Sequence, residues 1–505
     1  MRINFNYEAA STHTAYLVNQ REMGKSLLRL STGMRILEAA DDAAGLFIAD
    51  QLSIVATGLE EGNRNIRTGI SALRIAENAA GQIFERLRGI YARATRAAND
   101  INDPNARSAL QQEIANLRDA IQKIGTDTEY NGIKLLDGTF TGKYIHYGPR
   151  MDQTVLVSIG DVRAESLGAH IVSGDGRVLT SNAGQSITAL ETYADNFALA
   201  QYEYLRVAGR NVLSNTTTVT YLVDAATAAK TINNDPALAA MGIEATARNR
   251  SVAATYTGLI TGDGTVTLHF YIGQADVTSP TFSITGITAD TTLNDLVTQI
   301  NSAASAANSP ISARAESGRL VLETSNGETI AIEAEVTSDT VTINFGQLLE
   351  GASSVTNVTD YAYAIKVGSL HIAGTDSFVV NEEGIDIVGG TGPDASITST
   401  FNNLYSIDVT SNEGAERAML ITKKAMQYVD RLRSDIGAVM NNLQSIFDAQ
   451  KVAYDNTKEA ENVIRNTDYA EEMTNFTKLQ IKMQSTMAML AQANALPQLV
   501  LQLLR

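Results

Sequence analysis

A heptad repeat of apolar residues at both ends of the chain restricts its fold more than any other feature. Two companion registers start at Leu52 and Val55, and each places an apolar or small side chain every seven residues over about six heptads. Ahead of them, Met23, Leu27, Leu30, Met34 and Leu37 alternate spacings of four and three. This period predicts helices that pack along a seam.

As one continuous helix, residues 42–98 would extend about 85 Å. The second register includes Gly62 and Gly69, and we expect these glycines to let a partner helix approach closely.

A further helix is predicted after Asp103, which suits an N-cap, with Pro104 at the first helical position. Gly125 is a candidate for its end. The pair Asn131-Gly132 then predicts a tight hairpin turn.

The C-terminal part of the chain has the same spacing of apolar residues. One series runs from Val429 to Ile446, and a second runs from Tyr469 to Leu490. Pairing helices from opposite chain ends is the simplest way to bury both seams, and it places the intervening residues as an insert.

The middle of the chain has a different composition, rich in Thr, Ser, Gly, Asp and Val. Between residues 251 and 400 the positive charges are Arg314, Arg319 and Lys366. Segments beginning at residues 231 and 299 resemble each other at a fixed offset, each reading as a helix followed by strands. The middle is therefore predicted to be β-rich, acidic and exposed, with two related subdomains.

Together these patterns predict an α+β protein, in which a long coiled-coil-like helical rod is built from both termini and β-rich outer domains are inserted in the middle. Residues 1–41 and 463–505 are assigned to terminal coiled-coil arms. Residues 42–165 and 405–462 form a helical rod domain with a small β-hairpin region, and residues 166–404 form the outer region.

Catalysis and cofactor binding find little support in the sequence. There is no Cys, and the five His residues are too far apart in sequence to share a helix face. Zinc-protease, nucleophile-elbow and phosphate-loop motifs are absent. We expect a protein that is not an enzyme, without a catalytic residue, metal or cofactor.

Charge and hydropathy also exclude two classes of partner. The net charge of −17 disfavours nucleic acid, which is bound through cationic side chains. The uncharged stretch 483–504 carries Gln, Asn and a central Pro497, so we expect no membrane insertion. No apolar run follows the N-terminus, so we expect no Sec-type signal peptide, and export would need another route.

The chain ends resemble bacterial flagellin. The N-terminal motifs are LSTGMRI at residues 30–36 and DDAAGL at residues 41–46. The C-terminal motifs are AQAN at residues 491–494 and PQLVLQLLR at residues 497–505, and the turn at Asn131-Gly132 also matches. The resemblance covers roughly residues 1–160 and 405–505 and is specific, because the two signatures stand at opposite ends in the right order.

The resemblance implies a structural subunit that polymerises into the bacterial flagellar filament for motility. It implies an extracellular location in the flagellum, reached through the flagellar type III export system without a cleaved signal peptide. The partners it implies are further copies of the chain, an export chaperone, a distal cap and hook-associated proteins. Its terminal arms would fold on assembly, as expected for amphipathic helices that lack a partner.

The predicted assembly residues are apolar heptad positions of the two arms. They are Leu27, Leu30, Met34, Leu37, Met473, Phe476, Met483, Met487 and Leu490. A second group, Arg35, Asp41 and Asp42, lies between the arm and the rod, where it is either a solvated capping cluster or an electrostatic packing junction. An ordinary intramolecular core is the alternative for the heptad positions.

Some flagellins are recognised by a vertebrate Toll-like receptor through their rod helices, and the resemblance extends to Arg86, Ile90 and Glu113 as contact residues. Arg86 and Glu113 match the family pattern, whereas Gly89, Ile90 and Arg93 depart from it. Filament contacts would explain the same matches equally well.

Two alternative functions remain at this level. A hook–filament junction protein would carry similar arms in few copies. A secreted membrane-active protein would use its amphipathic helices on lipid, although the basic helix face that favours such binding is missing.

Overall fold

The computed structural model describes residues 6–99, 101–174, 176–180, 197–337, 341–388 and 394–503. These residues belong to two compact units. The first comprises Met1–Glu77, Phe140–Ile159 and Asp435–Arg505, and the second comprises Asn78–Thr139 and Gly160–Ser434.

Long helices lie at both chain ends, and shorter helices lie in the middle. The helices are α1 (Tyr7–Thr32), α2 (Ala43–Ala97), α3 (Pro104–Asp127), α4 (Ala225–Asn234), α5 (Pro236–Ala240), α6 (Leu293–Ala306), α7 (Asn412–Arg465) and α8 (Tyr469–Leu503). Two 3₁₀ turns are Phe345–Gln347 and Leu404–Ser406. The predicted class, helical termini around a β-rich middle, is confirmed.

The strands fall into antiparallel sheets. Those up to residue 222 are β1 (Glu129–Tyr130), β2 (Ile133–Lys134), β3 (Lys143–His146), β4 (Thr154–Val157), β5 (Gly168–Gly174), β6 (Val178–Thr180), β7 (Ala198–Leu199), β8 (Tyr204–Val207), β9 (Arg210–Ser214) and β10 (Tyr221–Leu222). The next are β11 (Glu244–Thr255), β12 (Ile260–Thr261), β13 (Val266–Ile272), β14 (Phe282–Ile287), β15 (Ile311–Glu316), β16 (Arg319–Thr324) and β17 (Ile330–Val336). The last are β18 (Val341–Asn344), β19 (Ser354–Val358), β20 (Tyr361–Lys366), β21 (Ser369–Gly374), β22 (Val379–Glu383), β23 (Ser396–Thr398) and β24 (Thr400–Asn403).

The two largest sheets have the strand orders β15-β16-β11-β21-β5-β24 and β14-β13-β17-β20-β6. Smaller sheets are β23-β22-β8-β9, β12-β18-β19, β10-β7, β1-β2 and β3-β4.

Helices α2 and α7 pair in antiparallel fashion. As the residue numbers rise along α2, the numbers of the contacting residues on α7 fall. In the first unit Asp50 meets Arg465 at 3.4 Å, and the Arg67 guanidinium lies 4.8 Å from the centre of the Phe447 ring. In the second unit the Thr95 hydroxyl donates to the Met419 sulfur at 3.1 Å. The predicted seam is buried at its centre, at positions that include Ile66, Leu73, Ala76, Ala80, Ile83, Leu87 and Ile90.

The seam glycines have a different partner from the one expected. A Cβ on Gly62 would overlap the Tyr147 carbonyl, and one on Gly69 would come within 2.5 Å of the Ile145 side chain. Both neighbours belong to the β3–β4 hairpin and its loop. The expectation that these glycines admit a helix was therefore incomplete, because their nearest neighbours are the Tyr147 carbonyl and the Ile145 side chain.

Two local predictions about α3 have different outcomes. Asp103 caps α3 by accepting from Ala106 N–H at 2.6 Å, as predicted. The expected end at Gly125 was wrong: α3 continues to Asp127, and Gly125 is buried against Arg163. The Asn131-Gly132 turn joins β1 to β2 with positive φ at both residues, 51° and 75°, as an Asn-Gly hairpin turn requires.

Within the described residues, two hydrophobic cores lie in the middle of the chain. The first core includes Leu205, Val207, Leu222, Ile232, Leu370, Ile372 and Val380. The second core includes Leu268, Phe270, Ile284, Ile300, Ile332 and Ile343. The sheet β14-β13-β17-β20-β6 contributes to both, with Tyr271 and Tyr363 in the first and Phe270 and Ile332 in the second.

Candidate functional site

The paired chain ends, α1 and α8, bring together most of the residues that the sequence singles out. The Asn6 side chain caps α1 by accepting from Ala9 N–H at 3.1 Å, and it donates to the Ala493 carbonyl at 2.8 Å. Further along, Asn19 donates to the Thr486 hydroxyl at 3.4 Å. These polar contacts set an antiparallel register between α1 and α8, which lie at opposite ends of the sequence.

Beyond α1, the chain crosses the segment that joins α7 to α8. Gly33 ends α1 with φ 76°, a left-handed conformation that suits glycine. Its carbonyl accepts from Thr467 N–H at 2.9 Å, and Arg35 N–H donates to the Arg465 carbonyl at 2.7 Å. Met34 and Asn466 form an isolated antiparallel bridge. The two crossing segments are thus joined through their backbones.

Arg35 strengthens this crossing with its side chain. Nη2 and Nε donate to the Ile464 carbonyl at 2.7 and 3.2 Å. A planar guanidinium can make both bonds to the open C-terminal end of a helix, where carbonyls lack intrahelical partners.

Asp41 and Asp42 make different hydrogen bonds. The Asp41 carboxylate accepts from Leu37 N–H at 3.2 Å, from Glu38 N–H at 3.4 Å and from Lys25 at 3.3 Å. The Leu37 backbone bond is the main reason that the pKa of Asp41 lies below its usual value, and Lys25 adds to the effect. Asp42 accepts from Gly45 N–H at 2.9 Å and so caps α2, as the sequence suggested for one of the pair.

The predicted assembly positions are exposed or half-buried in the single chain. Leu27 is 56% exposed, and Met473 and Met487 are each 51% exposed. Met34 and Leu37 are also exposed, whereas Leu30, Phe476, Met483 and Leu490 are half-buried. Of the described α1 residues only Ser26 is buried, and of the described α8 side chains only Glu472 and Ala493 are. The helix pair therefore leaves much of its apolar surface uncovered.

Heptad reasoning missed a second set of exposed apolar residues on the same helices. They are Tyr7, Leu17, Val18 and Leu28 on α1, with Ile481 and Met489 on α8. A heptad search selects one stripe per helix, whereas these helices carry apolar side chains around more of their circumference. A search for apolar residues outside the seam would have found them.

The residues proposed for receptor contact are divided between surface and core. Arg86 is exposed, and Glu113 is exposed and ion-paired with Arg93 at 2.5 Å. Ile90 has no exposed surface and lies in the α2 seam. The exposed part of this set is thus Arg86 and Glu113.

Metal and membrane features are limited in the described part of the chain. No group of three or more His, Asp or Glu residues that could hold a metal ion occurs there. One described helix, α2, is long and apolar enough to cross a membrane, a test that core helices of soluble proteins also pass. Its Ile66, Leu73 and Leu87 side chains are fully buried in protein.

Family comparisons match the two chain ends. The family model for the bacterial flagellin N-terminal helical region matches residues 3–141. The model for the bacterial flagellin C-terminal helical region matches residues 419–504. These ranges include α1, α2 and α3 at one end and α8 with most of α7 at the other.

Full-length relatives extend the match across the middle. A flagellin of Aquifex pyrophilus is 52% identical, and the alignment covers 100% of this chain and 99% of that protein. A flagellin of Aquifex aeolicus is 48% identical over the same shares. A solved structure of FliC from Burkholderia pseudomallei aligns over 74% of this chain and 99% of its own, at 16% identity and a TM-score of 0.29, an overlap too small to define a shared domain arrangement.

Proposed function

The chain belongs to the bacterial flagellin family and is a structural subunit of the extracellular flagellar filament, not an enzyme; on this premise we propose that subunits assemble through the exposed apolar surface of α1 and α8. The residues proposed to carry assembly are Leu27, Leu30, Met34, Leu37, Met473, Phe476, Met483, Met487 and Leu490.

The exposed apolar surface of the helix pair is the observation that supports this proposal. Leu27, Met473 and Met487 are each more than half exposed, on helices whose few described buried residues are mostly polar. Burying a large apolar side chain stabilises an assembly by roughly 1.5–3 kcal/mol. Several such side chains per subunit outweigh the cost of ordering helices that are marginal in isolation.

Arg35, Asp41 and Asp42 support assembly indirectly in this proposal. Their hydrogen bonds hold the crossing between the arm helices and the rod helices, so they set the direction in which α1 and α8 leave α2 and α7. We propose that this direction determines which faces of neighbouring subunits meet. Contacts that repeat head to tail without closing a ring give an open helical filament.

Further partners follow from the family and stay proposals. We propose that the chain leaves the cell through the flagellar type III system without a cleaved signal peptide. An export chaperone, a distal cap and hook-associated proteins are its proposed partners. The exposed apolar residues of α8, such as Ile481 and Met489, supply a surface that a chaperone would need to cover before export.

Recognition by a Toll-like receptor is a second proposal, supported by the exposed Arg86 and Glu113. The change of Arg86→Ala or Glu113→Ala would reduce activation of receptor-expressing reporter cells by monomeric protein, with Lys123→Ala on α3 as the exposed control. Equal activation by all variants would remove these residues from the contact.

Seeded polymerisation tests the assembly proposal. Full-length chain, Leu30→Asp and Leu490→Asp would each be added to short filament fragments and imaged by electron microscopy. The unaltered chain should elongate the seeds, while both variants should stay monomeric with an intact β-rich region, as judged by its thermal unfolding.

Tyr202→Asp is the matched control, because Tyr202 is 76% exposed but lies in the outer region. It should elongate seeds as the unaltered chain does. Filaments of normal length from both arm variants would refute the proposal.

A further inference from the structure

Glu333 lies fully buried in the middle of β17, with no exposed surface. Its cross-strand neighbours are His269 on β13 and Tyr363 on β20. Tyr363 and Tyr271 on the same face belong to the first core, while Ile332 next to Glu333 points into the second core. Glu333 is therefore an acidic group buried on the face of the sheet that carries the first core.

The burial of Glu333 and its single hydrogen bond leave a carboxylate poorly compensated. Oε2 accepts from the Tyr271 hydroxyl at 3.1 Å. Oε1 is buried and has no hydrogen-bond partner within the described chain. A buried carboxylate with one bare oxygen and no cation beside it is costly, whereas a neutral carboxyl tolerates the same surroundings.

Among the described residues, the charged groups around Glu333 provide no compensating positive charge. Glu335, two residues along the same strand, accepts from His269 Nε2 and from the Tyr361 hydroxyl, each at 3.1 Å. His269 Nδ1 faces the Ser283 hydroxyl at 2.6 Å, so neither ring nitrogen is directed to Glu333. The other titratable groups on this face are Tyr271, Tyr361 and Tyr363, and Asp276 acts on Tyr271 from beyond β13.

We propose that Glu333 is a pH-sensitive latch beneath the first core of the outer region: as a neutral acid it lets that core pack on its face of the sheet, and its ionisation loosens that packing.

The direction of the effect follows from the burial of the group. Burial raises the pKa of Glu333 to about 7, against an ordinary value of 4.5; the Tyr271 hydrogen bond opposes this rise, and the charge on Glu335 adds a smaller contribution to it. A folded-state pKa above the unfolded value means that the stabilisation is complete below pH 4.5 and is lost as pH rises through about 7. The outer region should thus be tightest in mild acid and loosen in mild alkali.

Hydrogen exchange on the full-length chain at pH 5, 7 and 8.5 tests the latch. After correction for intrinsic exchange, the opening equilibrium of peptides from β13, β17 and β20 should rise on the order of 100-fold between the lowest and highest pH. Glu333→Gln keeps the shape and removes the ionisation, so its protection in these strands should not change with pH.

Glu335→Gln is the control on the same strand, and it should keep most of the pH response. A response that survives Glu333→Gln, or that disappears in Glu335→Gln instead, would overturn the assignment to Glu333. If Glu333→Gln does not fold, the unaltered chain still decides, because an equal melting temperature of the outer region at pH 5 and pH 8.5 excludes the latch.

Discussion

Asn233 and Asn301 make the same pair of hydrogen bonds in two different places. Asn233 donates to the Ala245 carbonyl at 2.8 Å and accepts from Ala245 N–H at 2.9 Å. Asn301 does the same with Ala313, at 2.7 and 2.8 Å. Each side-chain amide thus pairs with both polar groups of one strand residue, 12 positions further on, and locks a helix to the strand that follows it.

The likeness extends to the start of each helix, where two residues have exchanged places. Asp224 caps α4 and accepts from the Thr227 hydroxyl at 2.7 Å. Thr292 caps α6 and its hydroxyl donates to Asp295 at 2.6 Å. The acid and the hydroxyl have swapped positions while the bond between them is kept, so the helix start is preserved with a different sequence.

Asn301→Ala should destabilise the outer region by about 2–3 kcal/mol, because it removes two bonds and leaves the polar groups of Ala313 without partners. Asn233→Ala should have a similar effect through Ala245. Urea unfolding followed by circular dichroism measures both. Asn294→Ala, a surface change on α6, is the control and should leave the urea midpoint nearly unchanged. Equal midpoints for all three variants would show that the Asn233 and Asn301 hydrogen bonds do not contribute to stability.

Gly62→Ala should destabilise the first unit by roughly 3 kcal/mol or more, because the new methyl group and the Tyr147 carbonyl cannot occupy the same space. Gly437→Ala on α7 is the opposite case, since a Cβ there meets nothing within 4 Å. It should stabilise the helix by up to about 1 kcal/mol through better helix propensity. Thermal unfolding of monomers compares the melting temperatures of the two variants. A similar shift in both would contradict the prediction that the hairpin leaves no room for a side chain at Gly62.

Arg35→Ala should lower the temperature at which filaments depolymerise, because the Ile464 carbonyl loses two charge-assisted donors. The depolymerisation temperature of Arg35→Lys should lie between those of Arg35→Ala and the unaltered chain, since an ammonium group cannot reproduce the planar guanidinium geometry. Light scattering of filaments on heating gives the transition. An unchanged transition in Arg35→Ala would mean that the backbone bonds of the crossing are sufficient alone.

Lys424 and Lys423 are adjacent on α7 and share Glu244, but they differ in burial. The Lys424 side chain is 1% exposed and donates to the Gly242 carbonyl at 2.9 Å, whereas that of Lys423 is 48% exposed. Lys424→Ala should cost about 3 kcal/mol, because it removes the donor to the Gly242 carbonyl and a buried partner of Glu244. Lys423→Ala should cost less than about 1 kcal/mol. Chemical denaturation distinguishes the two, and equal losses would show that burial does not set the cost.

Features that depend on neighbouring residues in sequence could be predicted. The α2 seam, the Asp103 cap and the Asn131-Gly132 turn all follow from spacing or from local backbone preference. Ile90 illustrates the strength of spacing: the heptad register assigns it to the seam, the family resemblance assigns it to a receptor contact, and the structure places it in the seam with no exposed surface.

Features that depend on distant segments could not be predicted. The neighbouring sequence does not show that Gly62 faces Tyr147. It also does not show that Arg163 packs on Gly125 within α3. Glu333 lies in the alternating run IAIEAEV, which ordinarily predicts a solvent face for its acidic residues. The prediction fails there because the sheet is covered on both faces, and the covering residues come from elsewhere in the chain.

The outermost strands β14 and β15, one in each of the two largest described sheets, are poor templates for aggregation. β14 pairs with β13 through a register shift and carries Gly286 at φ 78°, both of which distort a straight edge. β15 presents Arg314, ion-paired with Glu316 and Glu323, along its length. Charge and irregularity of this kind discourage strand addition by another chain. In a subunit proposed to polymerise through its helices, these two edges therefore do not offer a competing, amyloid-like route of association.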